Sequence, residues 1–282
     1  MTCCNQREGP PHPFPRARSA PMKTILIILT ALLLLAFAMP AAAFGPLDAS
    51  ASLGLFSKYV WRGIVATDDP VLQPEVSASF LGFSAGIWEN MDLTDFHATE
   101  ANPDGQQGEF NEIDYTLGYG AAFPFLDFGA GLIHYAFPNS DASATTEFYV
   151  SAAAHVLFSP SVTLYYDIDE IDGGYIELGA SHAVALSPMT NLDLAATLGY
   201  GSSDYVSGYF GYMAAAKALS TLDSGPTDLS LTASIPYQPL PIVTITPSVT
   251  YTTLMGDAKD NTDAAGGDKD AFFFGVTAGL SF

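Results

Sequence analysis

From residue 44 onward the chain is a succession of short segments in which every second side chain is apolar, and that period is the side-chain period of a β-strand. The last segment shows it most plainly. Phe274, Val276, Ala278, Leu280 and Phe282 alternate with Gly275, Thr277, Gly279 and Ser281. Twelve such segments lie near 49–62, 71–80, 83–90, 110–120, 125–136, 146–157, 161–167, 174–184, 191–201, 228–235, 242–253 and 271–282.

The connections between them alternate in length. The odd ones include 63–70, 91–109, 137–145, 202–227 and 254–270; the even ones include 81–82, 121–124, 158–160 and 236–241. Only the seventh and eighth, 168–173 and 185–190, are of similar length. A soluble β-sandwich gives no reason for loop length to follow parity. A closed transmembrane barrel does, because it has an even number of strands, short turns at one end and long loops at the other. No apolar run beyond the N-terminal region approaches the ~20 residues that a transmembrane helix needs. The expected fold class is therefore all-β, a transmembrane antiparallel β-barrel of twelve strands, with the odd connections outside the cell. Residues 209–219 are placed in the ninth connection, since one added strand would break the even count. Pro74 and Pro247 fall inside strands and are expected at bulges or near a rim.

Alternation also assigns the faces. One is apolar, with Leu53, Leu55, Val76, Phe80, Leu117, Phe128, Phe148, Leu164, Leu178, Leu231 and Ile245; the other is dominated by Gly, Ser and Thr. Residues that small cannot fill a core, but they suit a lumen. Tyr59, Trp61, Tyr119, Tyr166, Tyr200 and Tyr251 fall near strand ends, where an aromatic girdle belongs. Charges on the polar face are Lys58, Arg62, Glu75, Glu112, Asp114, Asp127, Glu147, Glu177 and Asp193. They read either as pore-lining groups that select ions or as a ladder of pairs that plugs a barrel of modest width. Lys58 and Arg62, four apart in one strand, are expected on the same side with Glu75 nearby.

The N-terminus carries a targeting pattern. Lys23 precedes an apolar run from Ile25 to Ala38, then Pro40 and Ala41-Ala42-Ala43. That is a signal peptide, 22–43, with cleavage after Ala43. Residues 1–21 read as a mis-assigned extension upstream of Met22, and 44–282 as the barrel. Cleavage removes four of the nine basic residues and one of the thirty acids, leaving 5 against 29, a net charge of −24. Cys3 and Cys4 go with it, so the mature chain has no disulfide to rely on. Such acidity excludes nucleic acid as a partner. It favours cations.

Asp167-Ile-Asp-Glu-Ile-Asp172 resembles a calcium loop only superficially, because the ligand spacing of an EF-hand is missing. No cofactor is expected. Loose binding of divalent cations, or bridging to lipopolysaccharide phosphates, suits the acidic loops. His97, His134, His155 and His182 are scattered and no Gly-x-Ser-x-Gly occurs, so the chain is not expected to be an enzyme.

Three stretches carry a family resemblance: Ser57-Lys-Tyr-Val-Trp-Arg-Gly-Ile64, Asp69-Pro-Val-Leu-Gln-Pro74 and Gly82-Phe-Ser-Ala-Gly-Ile-Trp88. Together they resemble the start of the mature barrel in the TorF-like porins of Gram-negative bacteria. The match covers about the first 45 mature residues. It implies an outer-membrane barrel with channel activity. The expected setting is outer-membrane lipid and lipopolysaccharide, and the last strand, with Val276, Leu280 and a terminal Phe282, resembles the closing strand that barrel-assembly machinery recognises. The alternatives are a closed structural or adhesive barrel with cation-binding loops, and a barrel enzyme. If the leader is removed as read, N-terminal sequencing of protein from outer-membrane fractions returns Phe44 first; an intact 23–43 segment there would identify an anchor instead.

Overall fold

The computed structural model describes residues 47–140, 142–211 and 222–282; the expected leader and upstream extension lie outside them. Fifteen strands occur among these residues. They are β1 (Leu47–Phe56), β2 (Tyr59–Trp61), β3 (Ile64–Thr67), β4 (Val71–Phe80), β5 (Phe83–Asp92), β6 (Phe110–Ala122), β7 (Leu126–Ala136), β8 (Thr145–Ala154), β9 (Ser161–Asp167), β10 (Gly174–Ser187), β11 (Thr190–Gly201), β12 (Gly225–Ser234), β13 (Tyr237–Leu240), β14 (Val243–Leu254) and β15 (Asp270–Ser281). Two helices sit in long connections, α1 (Ser203–Phe210) and α2 (Gly256–Ala264).

Twelve long strands form one antiparallel sheet in which each pairs with its neighbours in sequence, and β1 pairs with β15 to close it. The short β13 extends the turn between β12 and β14. β2 and β3 form a separate two-stranded sheet. The expected strands recur with small shifts at their ends, except the first. That one ends at Phe56, and residues 59–61 belong to the separate hairpin.

Each proline is paired on one side, Pro74 with Leu53 and Pro247 with Val276, and meets an opening of the ladder on the other. Between Leu72↔Met91 and Glu75↔Trp88 the β4–β5 ladder skips Gln73 and Pro74. Pro247 lies just beyond the last β12–β14 pair, Ser234↔Ser248, where the chain breaks between β12 and β13. A missing N–H is tolerated at such breaks.

Register sends the large apolar side chains outward. Leu55, Phe80, Leu117, Phe128, Phe148, Leu164, Leu178, Leu231, Phe272 and Phe274 are all exposed. Around the short turns Phe83, Tyr119, Phe123, Phe125 and Phe158 form an aromatic rim, with Phe83 edge-on to Tyr119 at 4.9 Å. A continuous apolar belt of this kind is unfavourable in water and favourable in hydrocarbon. The closed ladder gives every wall strand a paired neighbour on each side, as a bilayer requires. The protein is therefore a multi-pass β-barrel of the outer membrane. The turn at Leu81-Gly82, with φ of 50° and 87°, has the type I′ geometry that joins adjacent strands in two residues. Closure of this kind resists detergent, so purified protein should migrate at different positions with and without boiling. Identical migration, or a helical circular-dichroism spectrum, would contradict the fold.

Candidate functional site

After Phe56 the chain leaves the wall. Ser57 keeps a last hold on β15, donating from its backbone to Phe274 O at 2.9 Å and accepting from Phe274 N on Oγ at 3.1 Å. The β2–β3 hairpin then turns inward. Its two-residue tip is Arg62-Gly63, with φ of 45° and 82°, again the type I′ turn. Glycine at the tip serves close approach as well as φ. A Cβ at Gly63 would lie 2.6 Å from Leu254 and 2.8 Å from the Asp228 Cβ.

The hairpin spans the lumen. Tyr59 packs on Trp88 of β5 at 5.4 Å between centroids, and Trp61 packs on Tyr135 of β7 at 6.1 Å. On its far side the tip reaches β12 and β14 through Gly63. Its base is fixed by Thr67, whose hydroxyl donates to Asp92 at 3.0 Å, and by an ion pair between Lys58 and Asp68.

Arg62 lies at the centre. Both terminal nitrogens donate to the Glu147 carboxylate of β8, each at 2.7 Å, and Tyr135 donates to the same carboxylate at 2.8 Å. The guanidinium carbon sits 4.5 Å from the Trp61 ring, 4.3 Å from Tyr165 and 4.4 Å from Tyr175. Tyr175 in turn donates to Asp228 at 3.0 Å. A guanidinium suits this environment because its planar fork pairs with a carboxylate while its faces stack on rings. Helix α1 covers the site. Its N-cap Ser202 accepts from Tyr205 N, and Tyr205, Val206 and Phe210 are buried against Tyr175, Leu254 and Ala258. Burial pushes the Tyr205 and Tyr209 phenols upward, so both stay neutral and offer ring faces.

The anticipated residues divide accordingly. Glu75, Glu112, Asp114, Asp127, Glu147, Glu177 and Asp193 all fall on the inner face by register. Glu147 is bound to Arg62, and Asp127 takes a 2.8 Å contact from His155 at the short-turn rim. Among the described residues no salt bridge reaches Glu75, Glu112, Asp114, Glu177 or Asp193, and one oxygen each of Asp114 and Asp193 is buried without a hydrogen-bond partner. The expectation for Lys58 and Arg62 needs correction. They do not share a wall strand, and their partners are Asp68 and Glu147 rather than Glu75. Tyr59 and Trp61 likewise leave the girdle for the lumen, because the hairpin carries them inward. The sequence held one signal of this. The segment 49–62 is 14 residues long, against the 9–11 that a tilted strand needs to cross the bilayer. Tyr135, Tyr165, Tyr175 and Asp228 carried no comparable mark.

The acidic stretch at 167–172 is a structured turn. Asp167 accepts from Thr145 Oγ1 at 2.7 Å and from the Asp169 backbone at 2.9 Å. The stretch 209–219, expected in the ninth connection, starts in α1, and its part from 212 on lies outside the described residues.

Residues 40–231 match the model of a family described as bacterial protein of unknown function (Gcw_chp). The chain belongs to that family. Its matched region includes the hairpin, Arg62, Glu147, Tyr165 and Tyr175. Comparison with curated proteins gives no match. Among solved structures, similar chains include the KdgM porin in complex with disordered oligogalacturonate (11% identity, 83% of this chain and 99% of that one, TM-score 0.47). The NanC porin gives 13%, 84%, 98% and 0.43 in the same order, and LpxR from Salmonella typhimurium 9%, 82%, 99% and 0.46. At these identities and scores, what those proteins do carries nothing over to this chain.

Removing one member of a buried, hydrogen-bonded ion pair costs about 3–5 kcal/mol, chiefly through the charge left behind. Arg62→Gln should therefore lower the temperature at which the folded gel band converts to the unfolded one. The double variant Arg62→Gln/Glu147→Gln should regain part of the loss, because no buried charge is orphaned. An unchanged conversion temperature in the single variant would show that the pair does not hold the hairpin.

Proposed function

We propose that the barrel is a narrow outer-membrane channel for passive diffusion of small cationic or neutral solutes, constricted by the β2–β3 hairpin. The reading rests on one observation. The inner wall is polar, and its acids outnumber its cations. Arg62 is consumed by Glu147, and the carboxylates of Glu75, Glu112, Asp114, Glu177 and Asp193, which have no basic partner among the described residues, face inward on several strands. Charges held in a low-dielectric passage act more strongly than in bulk water, so a surplus of one sign selects against ions of that sign. The resemblance to TorF-like porins agrees with this reading.

The hairpin itself favours a second reading, a closed structural barrel, because it crosses the lumen from β5 to β12. An enzyme has less support. His97 pairs with Asp92, His134 with Thr146 and His155 with Asp127, while His182 lies against Phe158 on the outer wall. In the proposed setting the apolar belt contacts lipid. The acidic loops meet lipopolysaccharide through divalent cations, and β15 with Phe282 engages the assembly machinery.

Conductance in a planar bilayer decides between the readings. Under a salt gradient the reversal potential should report cation preference, and Glu112→Gln with Asp114→Asn should weaken it. Replacing 59–66 with a short Gly-Ser link should raise the conductance. Anion selectivity would overturn the assignment, and silence of both the wild type and the hairpin deletion would establish the closed barrel.

A further inference from the structure

Arg62 occupies a site that it does not build. Glu147 stands on β8, Tyr165 on β9 and Tyr175 on β10, so a carboxylate and two ring faces are supplied by the wall alone. Glu147 is held in place by Tyr135, whose hydroxyl donates at 2.8 Å, and Tyr175 is held by Asp228 at 3.0 Å. These contacts do not involve the hairpin. Against this receptor the Arg62 guanidinium makes two parallel hydrogen bonds of 2.7 Å and lies 4.3 and 4.4 Å from the two rings. Bidentate pairing discriminates by shape as well as charge, because an ammonium is a point charge and lacks the fork. The hairpin adds no strand to the wall, since among the described residues β2 and β3 pair only with each other. Withdrawing its tip therefore breaks side-chain contacts and leaves the barrel ladder intact.

We propose that Glu147, Tyr165 and Tyr175 form a guanidinium-binding site, that Arg62 fills it as a tethered internal ligand, and that solutes bearing a guanidinium compete with Arg62 and displace the hairpin from the lumen. The unpaired acids of the inner wall concentrate such cations near the site. Tethering holds Arg62 at an effective concentration on the order of millimolar, so a competing solute must exceed that level. The binding site stands on geometry alone; the opening step rests on the channel reading.

The two parts are tested separately. In Arg62→Ala the site is vacated, and the conversion temperature of the folded gel band should rise saturably with methylguanidinium. Methylammonium should be about tenfold weaker, since it lacks the second hydrogen bond. Methylurea, the neutral isostere, should do nothing, and Arg62→Ala/Glu147→Gln should not respond to any of the three. Arg62→Gln, which keeps a polar group at the tip, is the second background should the alanine variant fail to assemble. Absence of rescue in an assembled variant, rescue by methylurea, or rescue that survives loss of the Glu147 charge overturns the site. For the opening step, agmatine added to the wild type at roughly tens of millimolar, above the tethered concentration, should raise conductance several-fold, and the hairpin-deletion variant should show no such rise. Rescue of Arg62→Ala without any effect of agmatine on the wild type overturns displacement and makes the hairpin a fixed plug. If the deletion variant is itself silent, the channel reading has failed, and the binding result stands or falls on the gel measurement.

Discussion

Seven residue pairs, from Ser50↔Ser281 to Phe56↔Gly275, join the first wall strand to the last. The rest of the molecule depends on this closure. A sheet in hydrocarbon cannot leave an edge, because each unpaired N–H or C=O would face a medium with nothing to bond. Once β1 meets β15, every strand has two neighbours, and the alternation of side chains separates lipid from lumen along the whole wall. Leu53↔Ala278 and Leu55↔Val276 face out at the seam, while Gly54↔Thr277 and Phe56↔Gly275 face in. The seam follows the same rule as the rest.

Closure also leaves a problem inside. Away from Trp88, Tyr135, Tyr165 and Tyr175 the inner wall is largely Gly, Ser, Thr and carboxylates, which fill little space, and its carboxylates repel each other. The chain answers with its own first connection. The hairpin brings Tyr59, Trp61 and Arg62 into the lumen, where rings fill volume and one cation satisfies a deeply buried carboxylate. Helices α1 and α2 complete the cover, and Leu254 at the end of β14 packs with Tyr205, Val206 and Phe210 of α1. This cluster lies on the long-loop side of the barrel, where Tyr175, at the start of β10, and Leu254 stand. The short-turn side keeps small inward residues such as Ser79, Gly120 and Ser181.

The lumen therefore contains two electrostatic regimes. Around Arg62 the charges are paired, hydrogen-bonded and stacked, and the structure is held by that pairing. Away from it Glu75, Glu112, Asp114, Glu177 and Asp193 lack basic partners among the described residues. The first regime accounts for how the hairpin is retained. The second accounts for what a solute passing it would meet.

Strand number, strand faces and the inward direction of the seven acids were legible in the sequence, because a period of two is a local property and each residue declares its side independently of its distant neighbours. Parity of loop length gave closure for the same reason: it is a pattern along the chain. The path of residues 57–67 was not local. Tyr59 and Trp61 alternate as wall residues do, and only contact with Trp88, Tyr135 and Glu147 shows that they enter the lumen instead. The partners of Lys58 and Arg62 were hidden by the same limit, since charge type and spacing are written in the sequence while the carboxylate that each reaches is not. Sequence by itself determined that this chain closes into a barrel with an acidic interior. Tertiary structure alone decided that its first loop folds inside, because that outcome depends on residues 29 to 191 positions away meeting across one lumen.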